Sequence, residues 1–536
     1  MMLQKILEKK GTIITLAVAF TIVMSAAILK TMPEIQTNLS SDIQPNFTWS
    51  NDPILIDGNV ELAEFANNSG GGDGTEESPF LLEYIYIDYD PESSPSAVNN
   101  MEIRNTNLTF RLQHSVFRVH WGNWGIFNTG SGVVFSSVIN GTMDNVTVLY
   151  MPMSGISIKS GCENIHINNS VFEGDYFWDA IDISGSNNVG LYNNTITCTT
   201  KDSLGGLYID NMNSPPDNIT MRNNAFVNCS IVILAYDDNM LDHDIDESNT
   251  VNGDPIFYRT SDSDGVIEDV PAGEVLLLEC TNYTIDNVTM AGVGSEYSVG
   301  GLGVGFAYCS DILVNDSLIA PFNTGLAALA SSDVTVQGCT FEGGDVLLTL
   351  YYSFYCLVDS NVFMNSSPDS SNATGTVVVE ASSYNDITGN VIDSSGRAGI
   401  CIKSGSNSNN VLSNEILDGE ETGLFIGGDS NTVKYNTIAG NVKYGVQLSS
   451  DANDNSIWLN VFLGNAWNGT LYSAQAYDDG SNNLWSDQFG NYWADYHERY
   501  PDAIKVDWIW DTPYEIDGSA STSDDASLGR TFDHFI

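Results

Sequence analysis

The stretch Val334-Thr335-Val336-Gln337-Gly338-Cys339-Thr340-Phe341 carries a phrase that returns along the chain. It reads apolar, any residue, apolar, then a polar run rich in Asn or Gly, then an apolar residue five positions after the second. Between Asp333 and Phe462 it recurs as Val336…Phe341, Val358…Phe363, Ile387…Ile392, Leu412…Leu417, Val433…Ile438 and Ile457…Phe462, with anchors 22, 29, 25, 21 and 24 residues apart. Each phrase is too short for a helix, alternates like a strand and ends in turn chemistry. A repeat of about 20–30 residues signals a stacked architecture, and one such coil buries its apolar face only against its neighbours. The spacing predicts an all-β fold, a right-handed parallel β-helix.

Working upstream, the phrase appears as Ile103…Leu108, Met143…Val148, Ile167…Phe172, Leu191…Ile196 and Met221…Phe226, and again at Ile285…Met290 and Val314…Ile319. Asn145, Asn169, Asn193 and Asn223 each stand two residues after their anchor. Asn tolerates left-handed backbone and bonds along stacked coils, so these rows read as structural ladders. Between Tyr236 and Glu274 the phrase lapses. The reading is a first solenoid part (98–236), an acidic insert (237–273) and a second part (274–466). Asp237, Asp238, Asp242, Asp244 and Asp246 crowd the insert. Such carboxylate density suits a hard cation, which makes them a candidate calcium site beside the plainer reading of a solvated loop. Cys162, Cys280 and Cys309 fall five residues before anchors, and Cys198 and Cys229 follow successive anchors. That places thiols in stacked pairs, buried or bonded; the lack of Cys-x-x-Cys argues against zinc.

The ends differ from the middle. Residues 52–97 hold Gly70-Gly71-Gly72-Asp73-Gly74-Thr75 before the apolar Phe80-Leu81-Leu82; no Lys follows, so the segment reads as an entry cap and not a phosphate cradle. Residues 467–518 are rich in aromatics, including Trp467, Trp485, Trp493, Trp508 and Trp510, and read as a plug for the open core; 519–536 reads as a loose tail. At the start, Lys5, Lys9 and Lys10 precede an apolar run from Gly11 to Leu29. Nineteen residues make a helix of roughly 28 Å, enough to cross a bilayer. Residues 1–30 are thus a signal peptide, with Ser25-Ala26-Ala27 for cleavage, or an uncleaved anchor, and 31–51 a linker. Charge before the run places the remainder outside the cell, with membrane contact only through residues 11–29. Asn-x-Ser/Thr acceptors agree with export: Asn38, Asn46, Asn67, Asn107, Asn140, Asn145, Asn168, Asn193, Asn218, Asn228, Asn282, Asn287, Asn315, Asn365, Asn372 and Asn468.

Composition narrows the partners. The net charge of −51 arises from 69 acidic against only 18 basic residues. Phosphate backbones need clustered Lys and Arg, so nucleic acid is excluded as a partner; the surface favours cations.

Three motifs in order, Gly72-Asp73-Gly74-Thr75…Pro79-Phe80-Leu81-Leu82-Glu83, the run Asn249-Thr250-Val251-Asn252-Gly253-Asp254-Pro255-Ile256-Phe257-Tyr258, and Gly490-Asn491-Tyr492-Trp493-Ala494-Asp495-Tyr496…Asp511-Thr512-Pro513-Tyr514-Glu515-Ile516-Asp517-Gly518, resemble the NosD-like family and its archaeal exported relatives. The resemblance covers about Ile54 to Gly518. It implies a periplasmic or extracellular β-helix, and its best-known members are implied to assist copper-site assembly in an exported reductase. Lys505 to Asp511 replaces the Asp-Gly-rich run that archaeal relatives carry before Thr-Pro-Tyr, which weakens a calcium loop there. Copper needs soft or imidazole clusters. Here Met151-Pro152-Met153 is the one close Met pair after Met1-Met2, and His114, His120, His166, His243, His497 and His534 are scattered.

The expected function is a non-catalytic binding or scaffold module that presents or binds extracellular carbohydrate or a cell-surface protein. The alternative is a carbohydrate-active enzyme: a polysaccharide lyase, hydrolase or epimerase. Its best linear candidates are Asp175, Asp179 and Asp182 around Trp178, since glycoside hydrolysis uses two carboxylates about 5–10 Å apart. Arg397 and Lys403 are candidates for the basic side of a lyase site, and the Gly-His-Gly expected of polygalacturonase-like chemistry is absent. Copper handling is the third reading.

Overall fold

A computed structural model describes residues 48–50, 52–89, 99–119, 130–151, 153–174, 179–199, 205–210, 217–234, 243–293, 301–367, 374–466 and 474–529. These residues wind into a parallel β-helix whose coils have three faces. In the coil opening at Thr324–Leu329, the second strand is Ser332–Gln337 and the third Thr340–Glu342. Each pairs in parallel register with its equivalent one coil on: Leu326 with Leu348, Val336 with Val358, and Phe341 with Phe363. The repeating phrase therefore supplies the second and third faces. Its anchors Val334, Val336 and Phe341 are fully buried, and Phe341 stacks on Phe363 with centroids 4.8 Å apart.

One anchor pair shifts. Val411 and Ile416, not Leu412 and Leu417, face the core, aligned with Ile387 and Val433 and with Ile392 and Ile438. A one-residue slip exchanges the two faces of a strand. What sets the register is Asn414, which must meet its partners above and below.

Buried Asn ladders run along the axis. Asn361, Asn390, Asn414, Asn436, Asn460 and Asn491 form one, at the corner between the second and third faces. The Nδ2 of Asn414 donates to Ile387 O at 2.8 Å and to Asn436 Oδ1 at 3.0 Å, while its Oδ1 accepts from Asn390 N at 2.9 Å. A second ladder runs through Asn385, Asn409, Asn431, Asn455 and Asn483. Buried polar groups must be paired, and a carboxamide has the donors and acceptors to serve two coils at once. Asn145, Asn169, Asn193 and Asn223 do adopt left-handed backbone, with φ between 50° and 55°. The buried ladder of that half lies one residue later, at Asn194, Asn224 and Asn249.

The acidic segment corrects the reading of an insert. Its described part, 243–273, is coil: Asp254–Thr260 pairs with Glu274–Leu278, and Val266–Glu268 with Thr281–Asp286. It forms a seam. The first-face sheet of the earlier half ends at Ile231–Leu234, and the later one begins at Asp254–Thr260. The chain turns between them through an antiparallel hairpin in which Asn252 (φ 52°) and Gly253 (φ 94°) are left-handed, the geometry that Asn-Gly turns favour. At this break the Ile231 N–H donates to Glu274 Oε2 at 3.1 Å, so a side chain replaces the missing strand.

Both ends are closed. At the start, helix α1 (Asn59–Asn68) buries Leu62 and Ala66. The glycine loop is structural, since a Cβ at Gly72 would lie 2.1 Å from the Pro79 carbonyl oxygen. At the far end Phe462, Trp493 and Tyr514 stack at 4.2 and 4.1 Å, an aromatic plug over the core. Residues 519–529 belong to this cap and are not a loose tail: Ser523–Asp524 pairs with Tyr514–Glu515, and Asp524 and Leu528 are buried. The eight cysteines are free and buried. No helix among the described residues is long and apolar enough to cross a membrane; the apolar run 11–29 lies outside them.

Candidate functional site

Strand Asp179–Ser184 brings two of the three sequence-predicted acids onto the first face. Asp182 aligns with Ser157 on one side and Tyr208 on the other, and its Oδ2 accepts from Ser157 Oγ at 2.8 Å. Asp179 is buried, with Oδ1 lacking a hydrogen-bond partner among the described residues. Burial, reinforced by the Asp182 charge, pushes its carboxyl up to about 8. Three residues apart on one strand, the two side chains leave opposite sides of it, Asp179 on the side of the core-facing Ile181 and Ile183 and Asp182 on the outer side, so the strand does not bring the two carboxyls together. Asp175 lies outside the described residues. Arg397 and Lys403 are not brought to these acids: Lys403 Nζ pairs with Glu380 at 2.7 Å, and Arg397 approaches Glu421 at 3.9 Å. Arg397, Glu420 and Glu421 line a polar groove of about 550 Å³ with Asn365, Ser366 and Gly396.

Of the acidic candidates for calcium, Asp244 and Asp246 both face Arg222, at 2.5 and 3.0 Å. Asp237, Asp238 and Asp242 lie outside the described residues. Among the described residues no cluster of three or more His, Cys, Asp or Glu converges as a metal site.

The copper implied by the family resemblance does not fit the donors present. Met151 is fully buried in the core, His166 is half-buried against Tyr192, and His114 pairs with Asn145. Each occupies a different coil, and the cysteines are all buried. His120 and His534 lie outside the described residues.

Several acceptor asparagines are spent on coil-to-coil bonds: Nδ2 of Asn218, Asn282, Asn287 and Asn315 donates to Asn188, Asp264, Asp269 and Asp286. Asn67 and Asn107 are exposed. Asn38, Asn46, Asn372 and Asn468 lie outside the described residues.

Sequence reasoning passed over one surface. Tyr351, Tyr352, Phe354, Tyr355 and Tyr384 are exposed at the corner between the first and second faces. The signal was Tyr351-Tyr352-Ser353-Phe354-Tyr355, whose Tyr355 takes a turn position held by Asn282, Asp311, Asp333 and Ser408 in other coils.

The family model described as periplasmic copper-binding protein (NosD) matches residues 244–421 and 369–498. The match begins at the seam. No curated protein matches the chain. Similar solved structures include the mannuronan C-5 epimerase AlgE4 A-module of Azotobacter vinelandii (11% identity, 79% of this chain and 95% of that one, TM-score 0.27). Others are the periplasmic alginate epimerase AlgG (10%, 81% and 84%, TM-score 0.25) and DFA-IIIase of Arthrobacter chlorophenolicus A6 (11%, 68% and 94%, TM-score 0.23). Over residues 244–498 the chain is similar to the NosD family, and the described residues of that span wind as a parallel β-helix.

Proposed function

We propose that the chain is an exported, cell-surface solenoid acting as a non-catalytic binding and presentation module for carbohydrate or a partner protein. The observation that carries this reading is where the polar groups go. The Asn ladders, and the ion pairs of Arg222, Arg259, Arg397, Lys403 and Lys443, join coil to coil, which stiffens a rod and leaves its outer faces for display. Incubating the full chain with alginate, polygalacturonate, chitosan and cellulose oligomers, and following chain cleavage and epimerisation by NMR, tests it. Unchanged glycans are expected; turnover would overturn the reading.

A second reading, a carbohydrate-active enzyme, is favoured by Asp179, a buried carboxyl whose Oδ1 has no hydrogen-bond partner among the described residues. Under that reading Asp179→Asn abolishes any turnover found while leaving the fold intact.

A further inference from the structure

Two rows of left-handed residues mark the corner between the first and second faces. One contains Tyr308, Ala330, Tyr352 and Ala381, the other Asn282, Asp311, Asp333, Tyr355, Tyr384 and Ser408. Register fixes the second row, since Thr335 pairs with Leu357 and Leu357 with Asp386, two residues beyond Asp333, Tyr355 and Tyr384 respectively. In earlier coils the equivalent residues are Asn140, Asn164, Asn188 and Asn218, whose amides bond one to the next. Short polar residues hold this backbone at little cost, whereas a bulky side chain at positive φ is strained by about 1–3 kcal/mol. Yet Tyr352 (φ 50°), Tyr355 (φ 59°) and Tyr384 (φ 62°) stand here, and their side chains bury little: relative exposures are 52%, 62% and 56%.

Neither backbone preference nor core packing accounts for these tyrosines. Tyr355 and Tyr384 stack at 5.5 Å with planes 13° apart, and Tyr351 meets Tyr352 edge-on at 4.6 Å. With Phe354 they make an aromatic surface on two successive coils. A contiguous exposed aromatic patch marks an interaction site.

We propose that Tyr351, Tyr352, Phe354, Tyr355 and Tyr384 form a platform for a cationic amino-sugar chain. This deepens the binding-module reading and rests on it. Ring faces and edges offer apolar contact to the C–H surfaces of pyranoses, and phenol hydroxyls offer hydrogen bonds at the wet rim. The coil advance of about 4.8 Å is comparable to one sugar unit in an extended glycan, so successive coils present successive contacts. Charge selects among glycans. The chain carries −51 overall, and Asp333 and Asp311 continue the tyrosine row, so a polyuronate is repelled while an amino-sugar chain is attracted.

The test is titration calorimetry of the full chain with chitosan hexamer, cellohexaose and an alginate hexamer. It is repeated on the Tyr355→Asn/Tyr384→Asn double variant, which restores the residue that other coils use. The expected result is binding of chitosan hexamer in preference to cellohexaose and alginate, weakened about tenfold in the variant, with a melting temperature equal to or above that of the wild type. No binding of chitosan hexamer, preferred binding of cellohexaose or alginate, or unchanged affinity in the variant overturns the platform. Loss of affinity in the variant supports it even where the wild type also cleaves the chain, because cleavage bears only on the non-catalytic reading.

Discussion

The backbone N–H of Asn491 donates to Oδ2 of Asp524 at 2.7 Å, and this contact ends the longest Asn ladder. Every ladder residue before it accepts from the preceding coil and donates to the next. The last needs an acceptor with nothing further to donate, which is what an ionised carboxylate is. The same ending occurs twice more: Asn483 Nδ2 donates to Asp478 at 2.9 Å, and Gln475 Nε2 to Asp495 at 2.6 Å. Indole N–H groups complete two of these sites, Trp493 on Asp524 and Trp485 on Asp478, both at 2.9 Å. The aromatic plug and the ladder ends are one device.

Asp524→Asn is expected to destabilise the chain by about 1–3 kcal/mol, because its carboxamide turns an N–H toward buried donors. Denaturant midpoints check the magnitude. Hydrogen exchange is expected to show the Asn491 amide losing protection first.

The pH dependence follows from the same carboxyl. Burial raises Asp524 to about 6, against hydrogen bonds from Asn491, Trp493 and Ala526 that lower it. The native state therefore binds this proton more tightly than the unfolded chain, and its contribution falls as pH rises from about 4 to about 6. The loss is on the order of 3 kcal/mol. Melting temperatures across that window are expected to slope downward in the wild type and to flatten in Asp524→Asn.

Asp179 acts in the same direction over a wider range. With its carboxyl at about 8, stability declines as pH rises from about 4 to about 8. Asp179→Asn is expected to be near neutral at pH 5 and stabilising at pH 9, as read from thermal unfolding. Destabilisation at pH 9 would count against a strained carboxylate there.

Glu274 tests the seam. Burial holds its carboxyl well above the ordinary range, so its cost to the native state grows as pH rises. Glu274→Gln keeps an acceptor for Ile231 N–H and is expected to stabilise alkaline samples. Glu274→Ala strands that N–H and is expected to be about 1–3 kcal/mol less stable than Glu274→Gln at every pH.

Register is tested by neighbours. Val411→Ala, which empties core volume, is expected to cost about 2–3 kcal/mol. Leu412→Ala, on the outer side of the same strand, is expected to cost less than about 1 kcal/mol. Equal losses would contradict the alignment of Val411 with Ile387.

The sequence by itself determined the solenoid, the second- and third-face strands, the left-handed Asn positions and the aromatic plug. All of these depend on local chemistry: alternation that matches a half-buried strand, turn residues that accept positive φ, and aromatics gathered after the last phrase. Tertiary structure alone decided the rest. First-face strands such as Glu274–Leu278 and Ala398–Ile402 are buried at every position, so they show no alternation to read. The segment 243–273 looked like an insert because its coil takes different residues across a break. Asp524 looked like part of a solvated tail because a carboxylate reads the same in solvent and above a ladder. Whether it is stranded or satisfied depends on which donors the last coil places beneath it, and only stacking brings those donors within reach.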